Sequence, residues 1–129
     1  MHNPSNSSTV EIHAQNRQSK LLIDMKGKLI YGNTNAVKTR LKELVGQAEG
    51  YIIDLSHLQF IDSTGFGVLI NFAKLVGIKK MAIVVKDEMI HELFTISKLN
   101  QLFPITSTVE EAELHLDKGY QAPMKLEDY

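Results

Sequence analysis

Cysteine is absent from the 129-residue chain, which excludes a disulfide framework, a thiolate nucleophile and a thiolate metal site and fits a reducing cytosol. Tryptophan is also absent and aromatic residues make up only 7%, too few for a platform on which bases stack. With a formal net charge of −1 at pH 7, the chain has no positive field to neutralise nucleic-acid phosphates. No apolar run approaches the ~20 residues that span a bilayer. The first residues, Met1-His2-Asn3-Pro4-Ser5-Asn6-Ser7-Ser8, have neither the basic start nor the apolar stretch of a secretory signal. These absences set the expectation of a cytoplasmic protein that binds neither nucleic acid nor membrane, in which the formal glycosylation acceptor Asn6-Ser7-Ser8 has no use.

What remains is an ordinary globular composition, 43% apolar and 22% charged, in a chain long enough to bury roughly two-thirds of its unfolded surface. Residues 1–8 read as a flexible arm, 9–117 as one domain and 118–129 as a tail. Alternation at Val10, Ile12 and Ala14 and again at Leu21, Ile23 and Met25 predicts two strands joined by a polar turn around Gln15 to Ser19. Gly27 and Gly32 bracket a break, after which Asn33 or Thr34 can cap a helix with Val37, Leu41, Leu44, Val45 and Ala48 on one face. Tyr51-Ile52-Ile53-Asp54-Leu55 and Met81-Ala82-Ile83-Val84-Val85 are runs suited to buried strands. Between them lies a helix starting at Ser63 and ending before Gly77, so the span reads as a right-handed crossover. Asp87 caps a further helix through Ile90, Leu93 and Phe94; Phe103-Pro104-Ile105 reads as an edge strand. Thr106-Ser107-Thr108 with Glu110 and Glu111 offers a capping box for a last helix through Val109, Ala112 and Leu116.

The segment Phe60-Ile61-Asp62-Ser63-Thr64-Gly65-Phe66-Gly67 asks for an explanation beyond folding. Two glycines in a first helical turn oppose helix formation. Either they bare the backbone around the Ser63 hydroxyl for an incoming surface, or they relieve crowding against the strands. Further along, Phe66, Leu69, Ile70, Ala73 and Val76 suit the sheet, while Val68, Phe72 and Leu75 form a second apolar stripe. That stripe either meets a partner or lies under the neighbouring helix. Ser63 itself is a plain N-cap or a phosphate acceptor, since a helix start tolerates an anion through its free N–H groups and dipole. Asp62 caps the loop or frames Ser63, and its charge repels a phosphate placed beside it.

Other chemistries fail on spacing. Asp62-Ser63-Thr64-Gly65 has one residue too many for an aspartic-protease motif and no second copy, and Ser63 lacks the Gly-x-Ser-x-Gly elbow. His2, His13, His57, His91 and His115 show no close ligand spacing. Gly65-Phe66-Gly67 is too short for a dinucleotide fingerprint. No metal, cofactor or catalytic residue is expected.

The stretch from Tyr51 to Leu69, with Asp62-Ser63-Thr64-Gly65-Phe66-Gly67 at its centre, resembles the signature of the STAS domain of bacterial anti-sigma factor antagonists. A strand and loop there lead to Asp-Ser-(Ser/Thr)-Gly-(Leu)-Gly at a helix start. The resemblance extends more weakly from Val10 to Leu116, and His91-Glu92-Leu93-Phe94-Thr95-Ile96-Ser97-Lys98-Leu99 looks like the family's Leu-Phe-(Asp)-(Ile)-x-Gly-Leu stretch. Gly27-Lys28-Leu29-Ile30 stands where many members have Gly-Glu-Leu-Asp, and Lys98 stands at a usual glycine.

The resemblance implies a single STAS-like α/β domain with a mixed sheet of about four to five strands and helices packed mainly on one side. It implies a non-enzymatic switch that, unphosphorylated, binds an anti-sigma factor serine kinase and frees a sigma factor. Phosphorylation at Ser63, with Thr64 the second choice, weakens that complex, and a serine phosphatase of the PP2C type resets it. The expected partner-binding residues are Asp62, Thr64, Gly65, Phe66, Gly67, Val68 and Phe72, with weak self-association as a further expectation. The rival readings are a non-phosphorylated STAS scaffold in a regulatory assembly and a ligand- or transport-associated STAS subunit.

Overall fold

The computed structural model describes residues 9–129, and the predicted arm 1–8 lies outside them. Strands β1 (Val10–Arg17), β2 (Lys20–Leu29), β3 (Gly50–Ile61), β4 (Met81–Val84) and β5 (Ile105–Thr106) form one sheet in the order β1-β2-β3-β4-β5. β1 runs antiparallel to β2, and the remaining pairs are parallel. Helices α1 (Thr34–Leu44), α2 (Ser63–Val76) and α3 (Glu88–Ile96) fill the three parallel crossovers, and α4 (Val109–Lys118) follows β5.

That order explains the layering. Right-handed crossovers stepping always in the same direction across a sheet place every connecting helix on the same face. Accordingly Val37 and Leu41 of α1, Leu69 and Phe72 of α2 and Ile90 and Phe94 of α3 share one core with Ile23, Ile53 and Ile83. The side chains of opposite parity, Leu22, Ile52, Ala82 and Val84, meet Ala112 of α4 on the other face. The architecture is thus a five-stranded mixed sheet with three helices on one side and one on the other.

Charge supplements the thin apolar contact of α4. Arg17 Nε donates to Glu113 at 2.8 Å, and Lys20 Nζ donates to Asp117. At the start of that helix Thr108 Oγ1 accepts from the Glu111 N–H at 3.1 Å. The Glu111 carboxylate returns one residue short of a standard capping box, accepting from the Ser107 N–H and hydroxyl.

Several expected boundaries shift. β1 continues to Arg17 and turns through Gln18 and Ser19 alone, because Gln18 adopts φ 58° without a glycine to signal it. α1 stops at Leu44 and leaves Val45 exposed. The edge strand at Pro104 shrinks to Ile105–Thr106. Lys98 takes φ 64°, the left-handed conformation that favours glycine. Beyond α4, the Met124 N–H donates to the Gln101 carbonyl, and the Tyr129 hydroxyl donates to the Ser97 carbonyl at 2.8 Å.

Candidate functional site

The site lies where β2 and β3 end and α1 and α2 begin, the carboxyl edge at which open parallel sheets usually present their functional loops. Asp62, not Ser63, is the N-cap of α2: its Oδ1 accepts from the Gly65 N–H at 3.0 Å. The same oxygen accepts from the Thr64 hydroxyl at 2.6 Å, and Oδ2 accepts from the Tyr31 N–H at 3.0 Å. The Asp62 N–H in turn donates to the Leu29 carbonyl. One carboxylate therefore ties the end of β3 to the loop after β2 and to the first turn of α2.

Partial burial pushes the Asp62 carboxyl up. The hydrogen bonds from the Thr64 hydroxyl and from the N–H groups of Tyr31, Gly65 and Thr64 outweigh it and hold the group below its ordinary value. Asp62 is thus a stable anion at neutral pH.

The two hydroxyls differ. Thr64 is committed to Asp62, whereas Ser63, the first residue of α2, is exposed and has no hydrogen-bond partner among the described residues. Of the first-turn N–H groups expected to favour an anion, that of Gly65 is already held by Asp62.

The two glycines also differ. A Cβ on Gly65 would stand 2.4 Å from the Leu29 carbonyl oxygen and 2.7 Å from Ile61 Cγ1, so close packing against the strands explains that residue. A Cβ on Gly67 would meet nothing within 4 Å. Gly67 is the position that bares helix backbone to the outside.

Val68 and Phe72 are each only 1% exposed, which corrects their assignment to an exposed docking stripe. The neighbouring α1 covers that side of α2, with Val37 and Leu41 in the same core, and Phe72 packs edge-on against Tyr51 at 5.5 Å. Gly65 is buried as well. Phe66 is half-buried against Phe94 of α3, with ring centroids 5.0 Å apart. Ser63, Gly67, Ile70 and Lys74 form one accessible line along a helical face of α2, while Thr64 and Leu75, the last residue of the expected second stripe, are exposed outside it. Gly67, Ile70 and Lys74 border a cleft of about 350 Å3 toward Thr34 and Lys38 of α1.

Tyr31 escaped the sequence reading. Its side chain is 82% exposed, while its N–H is fixed on Asp62. An aromatic residue in a turn next to Gly32 was the available signal. Among the described residues no group of three or more His, Asp or Glu is placed to hold a metal ion, and no helix is long and apolar enough to cross a membrane.

The family model of the STAS domain matches residues 11–112. The anti-sigma F factor antagonist of Paenibacillus polymyxa is 28% identical over 100 residues, covering 74% of this chain and 86% of that protein. The crystal structure of an anti-sigma factor antagonist from Mycobacterium paratuberculosis has a TM-score of 0.78 at 16% identity, covering 84% of this chain and 95% of that one. The murine solute carrier 26 family member A9, an anion transporter, has a TM-score of 0.67 at 13% identity over 81% of this chain and 19% of its own. These two structures share the fold. With its family model matched from the first strand into the last helix, the chain belongs to the STAS domain family.

Proposed function

We propose that the protein is an anti-sigma factor antagonist acting as a cytoplasmic, phosphorylation-switched binding module with Ser63 as the acceptor. The observation that carries the reading is the contrast between adjacent hydroxyls: Ser63 is exposed and uncommitted, and Thr64 is bonded to Asp62 at 2.6 Å. The relative named as an anti-sigma F factor antagonist supports the general role.

In the unmodified state the line Ser63, Gly67 and Ile70, with Phe66 and Tyr31 beside it, docks on an anti-sigma factor serine kinase. A phosphate on Ser63 adds about 1.5 to 2 negative charges. It projects toward the docked surface and stands next to the ionised Asp62. Desolvation and repulsion then weaken the contact, while the fold is left intact. A serine phosphatase of the PP2C type reverses the state. The chain contributes no catalytic group of its own.

The test is phosphorylation by the cognate serine kinase with ATP, followed by mapping of the labelled residue. Ser63→Ala should lose the label, and Thr64→Ala should keep it. Equal labelling of Ser63→Ala and the parent would overturn the reading. The fold shared with an anion transporter favours a second reading, a transport-associated subunit. Protein purified from its own cells, free of phosphate in every growth condition and accompanied by a permease, would establish that one instead.

A further inference from the structure

β1 is a free edge of the sheet, and its outer side has no strand partner among the described residues. Glu11, His13, Ala14, Gln15 and Asn16 are exposed. Edge strands are normally protected by shortness, a bulge, lysine or proline. β1 has eight residues in unbroken register with β2, and neither lysine nor proline occurs in it. The other edge, β5, has only two residues.

The hairpin fixes which backbone groups point outward. A two-residue turn closes on a hydrogen-bonded pair, here Arg17 with Lys20, and such pairs alternate along an antiparallel ladder. Arg17, Gln15, His13 and Glu11 therefore direct their N–H and C=O groups to β2. Asn16, Ala14 and Ile12 direct theirs to the outside.

We propose that this edge pairs antiparallel with β1 of a second copy of the chain, about a two-fold axis at Ala14. Ala14 then lies opposite its own counterpart and Ile12 opposite Asn16, so outward-pointing residues meet one another along the whole overlap. His13 lies opposite Gln15, and Glu11 lies opposite Arg17.

That last pair occurs twice and selects the register by charge. A slip of two residues sets His13 against His13 and Glu11 against Gln15, and both charge pairs are lost. Arg17 holds Glu113 through Nε and Nη2, which leaves Nη1 to meet Glu11 of the second copy. In this register residues 11–17 overlap for about 24 Å without a packed apolar face. The buried area falls below the ~1,200 Å2 of a stable interface, so pairing is weak and concentration-dependent. It involves neither Ser63 nor α2 and stands apart from the phosphorylation reading.

Sedimentation equilibrium of the full chain tests it. The weight-average mass should rise from one chain toward two between about 10 μM and 1 mM. Ala14→Pro removes an outward N–H, which an edge strand tolerates, and should keep the mass of one chain throughout. Because the chain has no cysteine, Ala14→Cys gives a second measurement that does not rely on the proline variant folding. Under mild oxidation it should form disulfide-linked dimers about tenfold faster than His13→Cys, whose counterpart lies outside bonding distance in this register. Faster linkage through His13→Cys overturns the register. A parent that stays at one chain's mass, or a folded Ala14→Pro variant that associates like the parent, overturns the pairing and leaves the edge to an extended segment of another protein.

Discussion

The Thr64 hydroxyl donates to Asp62 Oδ1 at 2.6 Å, on the same oxygen that caps the Gly65 N–H at 3.0 Å. This shared acceptor separates two neighbouring hydroxyls that only the family resemblance had ranked. Both residues are exposed, but the Thr64 hydroxyl is committed to Asp62 and the Ser63 hydroxyl is left uncommitted. The sharing also makes Asp62 the residue on which the geometry of the whole junction depends, because its other oxygen holds the loop at Tyr31.

Asp62→Ala should therefore destabilise the fold by about 1–2 kcal/mol, the range for loss of an N-cap. Urea unfolding measures this. The same substitution releases the Thr64 hydroxyl, so phosphate mapping on Asp62→Ala should show label spreading from Ser63 to Thr64. A variant as stable as the parent and labelled only at Ser63 would show that Asp62 neither caps nor sorts.

The glycines call for opposite responses to one substitution. Gly67→Ala meets open space and should raise stability by about 0.5–1 kcal/mol, the gain from replacing glycine inside a helix. The same methyl on that surface should weaken docking if the bare backbone is a contact. Gly65→Ala forces Cβ against the Leu29 carbonyl oxygen at 2.4 Å, a backbone atom with little room to move, and should destabilise by about 1–3 kcal/mol. Urea midpoints moving in opposite directions check the pair.

These contrasts mark how far the sequence could be read. The β-branched run of β4, the Gly77 stop and the Asp87 cap depend on local propensity, and the structure places them where local rules predict; β3 starts where its run does but continues through the expected loop to Ile61. The cap of α2 could not be decided locally, because Asp62 and Ser63 are both good capping residues and the choice depends on Tyr31 from a distant loop. The burial of Val68 and Phe72 depends on where α1 lies, which a helical wheel of α2 does not contain. Gly65 and Gly67 are alike in sequence and differ through the approach of β2 and β3, at Leu29 and Ile61. Lys98 kept the backbone conformation of a glycine without being one, at φ 64°.

Acid should loosen α4 first at its junction with β1. The hydrogen bond from Arg17 holds the Glu113 carboxyl below its ordinary value near 4.5, partial burial opposes this, and the charges of Arg17 and Lys20 reinforce it. A carboxyl with a lowered folded pKa contributes its stability fully above the unfolded value and loses it as pH falls through the folded one. Glu113→Gln should thus be less stable than the parent at pH 7, and the gap should close between about pH 5 and pH 3. Urea midpoints across that range test the sign. A gap that widens in acid would contradict it. Glu111 and Asp62, also lowered, move the parent in the same direction, so the comparison with the variant isolates Glu113.

The structure divides α2 into a stripe that holds the core and a line that faces outward, and one pair of truncations separates them. Phe72 is 1% exposed and stacked edge-on with Tyr51, so Phe72→Ala should cost about 3–5 kcal/mol. Its remaining folded fraction should bind the kinase partner with the parent's affinity, because the ring never reaches the surface. Ile70 is half-buried at the cleft beside Lys38 and Lys74. Truncating it removes less buried area, so Ile70→Ala should cost about 1 kcal/mol and weaken binding several-fold. Urea unfolding and titration calorimetry on both variants give the two readouts. Binding lost through Phe72→Ala at parental stability would return the docking surface to the stripe that α1 covers here.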